Sequence, residues 1–143
     1  MNNIILLLGS NLGNPSENIK QALKKISEEI GEIKAKSNLA ETFPVEFESS
    51  LLFSNMAVLI CSKFSPTEII LKIKAIENNL GRVFDSSFYG EYKDRLIDID
   101  IVYFNRLKFV SKRLTIPHQK NAYERDFSVA LINELDEFII PKI

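Results

Sequence analysis

Along the chain, apolar residues are spaced first as in a strand and then as in a helix, and the order of these segments is compatible with few folds. Asn2–Leu8 is a continuous apolar run typical of a buried strand, and a turn-rich segment, Gly9–Asn14, follows it. The next apolar residues recur at helical spacing: Ile19, Ala22, Leu23, Ile26 and Ile30. Asn14 or Ser16 would cap this helix, and Gly31 lies just past its end.

Two more strands and a second helix follow. Ile33–Thr42 alternates loosely, and Phe53–Cys61 is apolar on both faces, so both predict strands. Ser65 is the predicted N-cap of the second helix, with Pro66 at its first position and Glu68 completing a capping box. The helix continues through Ile69, Ile70, Ile73, Ile76, Glu77 and Leu80. Gly81 ends it.

The last part of the chain adds one strand and an appendage. Val83–Asp94 shows no period and is a predicted loop, of a length that usually carries function. Leu96–Phe104 is a predicted strand. A hairpin at Asn105–Lys112, a break at Pro117 and a short helix near Asp126–Leu135 complete the chain.

The order β-α-β-β-α-β predicts an α+β, ferredoxin-like fold, with an antiparallel sheet, both helices on one face and a C-terminal appendage. We expect the second face to be free of helices and to carry a site covered by loops. At 143 residues the chain has the size of one domain, and we expect a single domain over residues 1–143.

Composition excludes several classes of protein. One cysteine, Cys61, excludes an internal disulfide framework, and one histidine, His118, excludes a multi-histidine zinc site within the chain. We expect no membrane span, because no apolar run approaches 18 residues, and a cytoplasmic location, because no basic leader precedes a cleavage site. A net charge of −1 argues against whole-surface binding of nucleic acid or anionic membrane.

The near-neutral total hides a basic segment. Residues 106–125 contain six basic side chains and one acidic one, a local charge of +5. This segment is either a solvated basic face or part of a small anion site, where a few cations in a cleft focus the field.

The segment from Arg95 to Val102 carries the strongest chemical signal. Side chains alternate along a strand, so Asp98 and Asp100 would share one face while Ile97, Ile99, Ile101 and Tyr103 face the helices. Two close carboxylates repel unless a cation lies between them, and carboxylates with phosphate oxygens suit Mg²⁺. The alternative is a solvated polar face on a half-exposed strand.

Three other positions each allow two interpretations. Arg82 would either interact favourably with the dipole at the C-terminus of the second helix or bind phosphate. Arg95, just before the strand with the two aspartates, would bind phosphate. His118 is a loop histidine or a phosphate donor. Asn55 makes cross-strand hydrogen bonds or reads the amide-like edge of a heterocycle.

Several segments, in order over nearly the whole chain, together resemble the 6-hydroxymethyl-7,8-dihydropterin pyrophosphokinase family of folate biosynthesis. They are Leu8–Asn14, Glu41–Pro44, Phe53–Asn55, Ile76-Glu77 through Leu80–Arg82, Arg95 with Asp98–Asp100, Leu114–His118 and Arg125–Phe127. The family's ferredoxin-like fold agrees with the fold predicted from element order.

The resemblance implies transfer of the β,γ-diphosphate of ATP to the hydroxymethyl group of the dihydropterin, releasing AMP, with ATP as co-substrate and two Mg²⁺. It implies catalytic roles for Arg82, Arg95, Asp98 and Asp100, with the two aspartates as metal ligands. It implies ATP contacts from Arg82, Arg95, Arg113, Thr115, His118 and Arg125. It implies pterin contacts from Thr42, Pro44, Phe53, Asn55 and Phe127. The loops Thr42–Leu52 and Val83–Asp94 would be lids that exclude water.

Two alternatives share the predicted fold: a nucleic-acid-binding module and a small-molecule regulatory module without catalysis. Paired carboxylates would repel a nucleic-acid backbone, and regulatory domains normally need a partner domain. We therefore expect ATP and the dihydropterin as partners, no nucleic acid or membrane, and a monomer.

Overall fold

An antiparallel sheet forms the centre of the computed structural model, which describes residues 1–42, 53–81 and 96–135. Its strands are β1 (Asn2–Ser10), β2 (Glu32–Lys36), β3 (Ala40–Thr42), β4 (Phe53–Ser62) and β5 (Asp98–Phe104). The order is β2-β4-β1-β5, and β3 also pairs with β4. The apolar run of β1 is buried because strands on both sides and layers on both faces cover it.

Two helices begin at side-chain caps. For α1 (Pro15–Glu29), the Asn14 side chain accepts a 3.3 Å hydrogen bond from the N–H of Glu17, so Asn14 and not Ser16 is the N-cap. For α2 (Pro66–Asn79), the predicted capping box is present: Ser65 accepts from the N–H of Glu68, whose carboxylate accepts from the N–H of Ser65. Both predicted helices are confirmed.

The sheet is covered on both faces. Helices α1 and α2 pack on one face in a cluster that includes Ile4, Leu6, Leu8, Ile19, Ile26, Ile69 and Ile76. A third helix, α3 (Asp126–Asn133), brings Leu131 and Ile132 onto the other face, against Ile5 and Leu7. The expectation of a second face free of helices is therefore wrong, because the predicted C-terminal helix folds back over part of it.

Tyr103 is predicted on the helix-covered face but lies on the other one. The register between β1 and β5 shifts between Ile5 and Leu6, because Ile5 pairs with Tyr103 and Leu6 with Ile101. Val102 is thus an extra residue, and such a bulge reverses the alternation that follows it. Phe104 joins the α1/α2 cluster in place of Tyr103.

The predicted strand Ile33–Thr42 is two strands, β2 and β3, both on the same edge of β4. They are separated at Ser37, whose N–H donates to the carbonyl of Ala57 and whose hydroxyl accepts from the N–H of Ala57. Because that hydroxyl takes the place of a backbone carbonyl, the chain leaves the ladder without stranding the buried N–H of Ala57.

The C-terminal part differs from its prediction in two places. The hairpin lies later than Asn105–Lys112, since β6 (Phe109–Val110) pairs with β7 (Thr115–Ile116). A π-helical turn, Lys120–Glu124, precedes α3 and is absent from the predicted elements. Within the described ranges no helix has both the length and the apolarity to cross a bilayer.

Candidate active site

A row of three residues on neighbouring strands forms the floor of the candidate site. Gly9 on β1 is the register partner of Asn55 on β4 and of Asp98 on β5. Adjacent strands lie about 4.8 Å apart, so the Asn55 and Asp98 backbones are roughly 10 Å apart across Gly9. A Cβ at Gly9 would lie 3.0 Å from Asn55 Oδ1 and 3.6 Å from Phe53 Cδ1. Glycine therefore leaves the space that the Asn55 amide and the Phe53 ring occupy above β1.

The two aspartates occupy one face, as predicted. Ile97, Ile99 and Ile101 belong to the cluster under α1 and α2, and the alternating Asp98 and Asp100 point to the opposite face. The spacing of alternate strand residues places the two carboxylates about 7 Å apart along β5. Both residues are half-buried.

A buried glutamate holds the backbone between the aspartates. Glu77 on α2 is 2% exposed, and its carboxylate accepts a 2.9 Å hydrogen bond from the N–H of Ile99. Lys74 Nζ lies 3.6 Å from the other carboxylate oxygen of Glu77. Sequence reasoning placed Glu77 on the second helix without a role. A carboxylate within the apolar run of that helix was the available signal, because such a residue is seldom fully buried without partners.

Negative charge accumulates around Asp100. Burial raises the pKa of Asp100 to about 7, and the charges of Asp98 and Glu77 act in the same direction, against Arg125 and a hydrogen bond from Asn121. A cation near the pair would relieve this repulsion. The described parts of the chain hold no group of three or more His, Cys, Asp or Glu side chains suited to a metal. A carboxylate pair nevertheless fits Mg²⁺, which takes one or two carboxylates and completes its shell with phosphate oxygens and water.

His118 lies beside Asp100, half-buried, with Nε2 4.0 Å from Asp100 Oδ2. Its N–H donates to the carbonyl of Val102, which ties the segment after β7 to β5. Its Nδ1 accepts a 3.2 Å hydrogen bond from the N–H of Asn121, so the ring proton resides on Nε2. Burial, then the charge of Arg125, lowers the pKa of His118, and Asp98 opposes that shift. The ring is therefore neutral, and its Nε2–H lies on the side of Asp100.

Asn121 joins the acidic and basic parts of the site, and sequence reasoning missed it. The residue is fully buried in the π-helical turn, and its side-chain NH₂ donates a 3.0 Å hydrogen bond to Asp100 Oδ2. Its side-chain oxygen accepts a 3.0 Å hydrogen bond from Arg125 Nη1. Local pattern gives no signal here, because asparagine between a proline break and a short helix normally indicates an exposed loop.

Three of the predicted pterin-contacting residues, Thr42, Phe53 and Asn55, lie on the paired strands β3 and β4. Phe53 begins β4 and pairs with Thr42, the last residue of β3. Asn55 is 5% exposed, two residues further along β4. Phe127, in the first turn of α3, packs half-buried against the cluster on this face. The structure brings Phe53 and Asn55 to Gly9, while Phe127 approaches from the covering helix.

The basic segment divides between the two interpretations. Arg125 is half-buried and reaches the site through Asn121. The other five basic residues are exposed: Arg106, Lys108, Lys112, Arg113 and Lys120. Arg113 lies in the turn between β6 and β7, and Thr115 is exposed on β7, which packs beside β5. Most of the segment is therefore solvent-exposed, and Arg125 is the basic residue in it that reaches Asp100 through Asn121.

Three predicted site residues, Pro44, Arg82 and Arg95, lie outside the described residues. The same is true of the loop Val83–Asp94 and of all but the first residue of the loop Thr42–Leu52.

Comparison with known proteins identifies the family to which the chain is similar. The family model for 7,8-dihydro-6-hydroxymethylpterin-pyrophosphokinase matches residues 5–137. The chain is 35% identical over 137 residues to the 2-amino-4-hydroxy-6-hydroxymethyldihydropteridine pyrophosphokinase of Bacillus subtilis, covering 94% of this chain and 79% of that relative. It is 33% identical over 132 residues to a folate synthesis bifunctional protein of Arabidopsis thaliana, covering 92% of this chain and 26% of that relative. The chain thus spans about a quarter of the length of the bifunctional plant relatives.

Solved structures support the fold. The crystal structure of wild-type Plasmodium falciparum HPPK-DHPS with STZ-DHP matches with a TM-score of 0.71 at 17% identity, over 93% of this chain and 39% of that chain. This likeness agrees with the predicted ferredoxin-like α+β fold. The resemblance in ordered sequence segments is confirmed, and the chain belongs to the 7,8-dihydro-6-hydroxymethylpterin-pyrophosphokinase family.

Proposed function

We propose that this chain transfers the β,γ-diphosphate of ATP to the hydroxymethyl group of 6-hydroxymethyl-7,8-dihydropterin. The hydroxymethyl oxygen forms a bond to the β-phosphorus, the bond from that phosphorus to the α,β-bridging oxygen breaks, AMP leaves, and the hydroxyl proton is released. The observation that carries the proposal is the row Asn55, Gly9, Asp98, which places an amide and a carboxylate on the strands that flank a glycine.

Asp98 and Asp100 would hold two Mg²⁺. When bound there, the ions neutralise the polyphosphate and align an in-line displacement, which is most of what phosphoryl transfer requires of a protein. The donor chemistry and the raised pKa of Asp100 support this assignment, because a bound cation favours the ionised carboxylate. Glu77 would keep both carboxylates in place by fixing the N–H of Ile99.

The nucleotide would lie on the side of His118 and Arg125. His118 offers an Nε2–H donor from a neutral ring, and Arg125 offers a planar guanidinium suited to phosphate. Arg82 and Arg95 would stabilise the charge that develops on the transferred group, as catalytic residues. Arg113 and Thr115 would contact the nucleotide from the hairpin beside β5.

The pterin would lie over Gly9. The Asn55 amide carries both a donor and an acceptor, matching the amide-like edge of a pterin, and a flat ring gains from the aromatic faces of Phe53 and Phe127. The resemblance assigns Thr42 and Pro44 to pterin binding as well, and the backbone of Thr42 pairs with Phe53. The nucleic-acid alternative is not favoured, because the same face presents two carboxylates.

The test is formation of AMP. Purified protein is incubated with ATP, MgCl₂ and the reduced hydroxymethylpterin, and the nucleotides are separated by chromatography. We expect AMP only when the pterin is present, and none after chelation of Mg²⁺. Asp98→Asn and Asp100→Asn should abolish AMP formation. Glu32→Gln, the same change at an exposed position on β2, is the matched control and should retain activity. Formation of ADP, or no turnover by folded protein, would refute the proposal.

A further inference from the structure

Asn121 stands between two groups of opposite charge. Its NH₂ donates to Asp100 Oδ2 and its oxygen accepts from Arg125 Nη1, both at 3.0 Å. The side chain of Asn121 is fully buried. One neutral amide therefore occupies the space in which a direct Arg125–Asp100 ion pair would form.

The backbone of Asn121 is fixed as firmly as its side chain. Its N–H donates to His118 Nδ1 at 3.2 Å, and its carbonyl accepts from the hydroxyl of Ser128 at 2.9 Å. The N–H of Arg125 closes the π-helical turn on the carbonyl of Lys120 at 2.8 Å. π-helical turns are rare and frequently occur at functional sites. Asn121 thus has a single position relative to Asp100 and Arg125.

We propose that Asn121 is a positioning residue that keeps Asp100 and Arg125 apart, so that the carboxylate stays available to Mg²⁺ and the guanidinium to phosphate. This inference rests on the proposed function. Without the spacer, the two charges would pair with each other, and substrate binding would first have to break that pair.

The chemistry of position 121 is narrowly defined. A buried side chain there must donate on one side and accept on the other, which an amide does and a hydrocarbon does not. A carboxylate would repel Asp100, and an apolar side chain would remove the hydrogen bonds that Asn121 makes to Asp100 and Arg125. A glutamine carries the right groups one methylene too far from the backbone.

Two variants test the inference, Asn121→Leu and Asn121→Gln. Affinity is measured by calorimetry, with Mg²⁺ and an ATP analogue whose α- and β-phosphorus atoms are joined by a methylene group. We expect both variants to bind 10- to 100-fold more weakly than the wild type, the range typical for residues that orient metal ligands, and kcat to fall in parallel. Ser62→Ala is the matched control. It removes a fully buried hydroxyl that donates to Ile30 at the other end of β4, and it should bind within twofold of the wild type.

A second readout separates positioning from folding. The ¹⁵N shifts of His118 report its tautomer, which depends on the backbone N–H of Asn121 and stays unchanged while the turn keeps its shape. Weakened binding with an unchanged His118 tautomer supports the inference. Binding within twofold of the wild type in a folded variant overturns it. If Asn121→Leu does not fold, Asn121→Gln decides, and if neither folds the residue is structural and the inference is wrong. Formation of AMP by the wild type tests the proposed function independently of both variants.

Discussion

The carboxylate of Glu77 accepts a hydrogen bond of 2.9 Å from the N–H of Ile99, the residue between the two aspartates of β5. The contact joins residues 22 positions apart and crosses from α2 to the sheet. It places a third carboxylate close to the acidic pair, at the backbone of β5. Glu77 is thus tied both to the position of β5 and to the electrostatics of Asp100.

Replacing Glu77 should separate those two effects. Glu77→Leu leaves the N–H of Ile99 without its acceptor, and we expect a loss of about 1–3 kcal/mol in the free energy of unfolding. Glu77→Gln keeps an acceptor and removes a negative charge, so the pKa of Asp100 should fall toward its ordinary value. Chemical denaturation and ¹³C NMR titration of the Asp100 carboxyl measure the two outcomes.

Lys74→Ala is the control for the Glu77 variants. Its ammonium lies 3.6 Å from Glu77, and its side chain is 60% exposed, so its removal should change stability little. An unchanged Asp100 pKa in folded Glu77→Gln would contradict the electrostatic role given to Glu77.

Stability of the metal-free protein should depend on the ionisation of Asp100. Its folded pKa is raised to about 7, against about 4 in an unfolded chain. The folded state therefore binds the proton more tightly, and the contribution is fully present below pH 4 and is lost as pH rises through 7. We expect Asp100→Asn to exceed the wild type in stability by on the order of 1–2 kcal/mol at pH 8, with the difference vanishing near pH 4. Denaturation curves without metal across this range provide the measurement. A constant difference would show that Asp100 ionises normally.

The acidic pair should matter far more to activity than to folding. Asp98→Ala and Asp100→Asn each remove a charge that is unfavourable in the metal-free state, and Asp100→Asn keeps an acceptor for the NH₂ of Asn121. We therefore expect little loss of stability together with loss of AMP formation. Thermal melts with and without MgCl₂, beside the AMP assay, compare the two quantities. Clear destabilisation of metal-free Asp100→Asn would be inconsistent with this account.

Gly9→Ala should damage the pterin side of the site selectively. The added Cβ would lie 3.0 Å from Asn55 Oδ1, so the amide must shift by a few tenths of an ångström. We expect KM for the pterin to rise about tenfold, equivalent to about 1.4 kcal/mol, with KM for ATP within twofold of the wild type. Steady-state kinetics with each substrate varied in turn checks this.

Gly31→Ala is the contrasting variant. There a Cβ would meet the carbonyl oxygen of Cys61 and lie 2.9 Å from Ser62 Cβ, away from Gly9. This variant should lose stability without a selective change in either KM. Equal effects of Gly9→Ala on both substrates would argue against Gly9 as the floor beneath the pterin.

Local sequence determined the parts of the structure that depend on neighbouring residues. The capping box at Ser65 and Glu68 follows from side-chain geometry within one helical turn. Alternation on β5 put Asp98 and Asp100 on one face, because the strand repeat is two residues. Apolar periodicity predicted the order of elements, and hence the fold, since it reflects which side of each element is buried.

Tertiary structure decided what surrounds the acidic pair. The bulge at Val102 moved Tyr103 to the other face, and Ser37 divided one predicted strand into two. Glu77 and Asn121 reach β5 through hydrogen bonds that span 22 and 21 residues. Such contacts depend on how distant elements pack, which no local pattern encodes. The sequence by itself therefore determined the fold and the positions of the two carboxylates on β5. Only packing across the sheet decided that Glu77 and Asn121 contact β5 and that Arg125, from the basic segment, reaches Asp100 through Asn121.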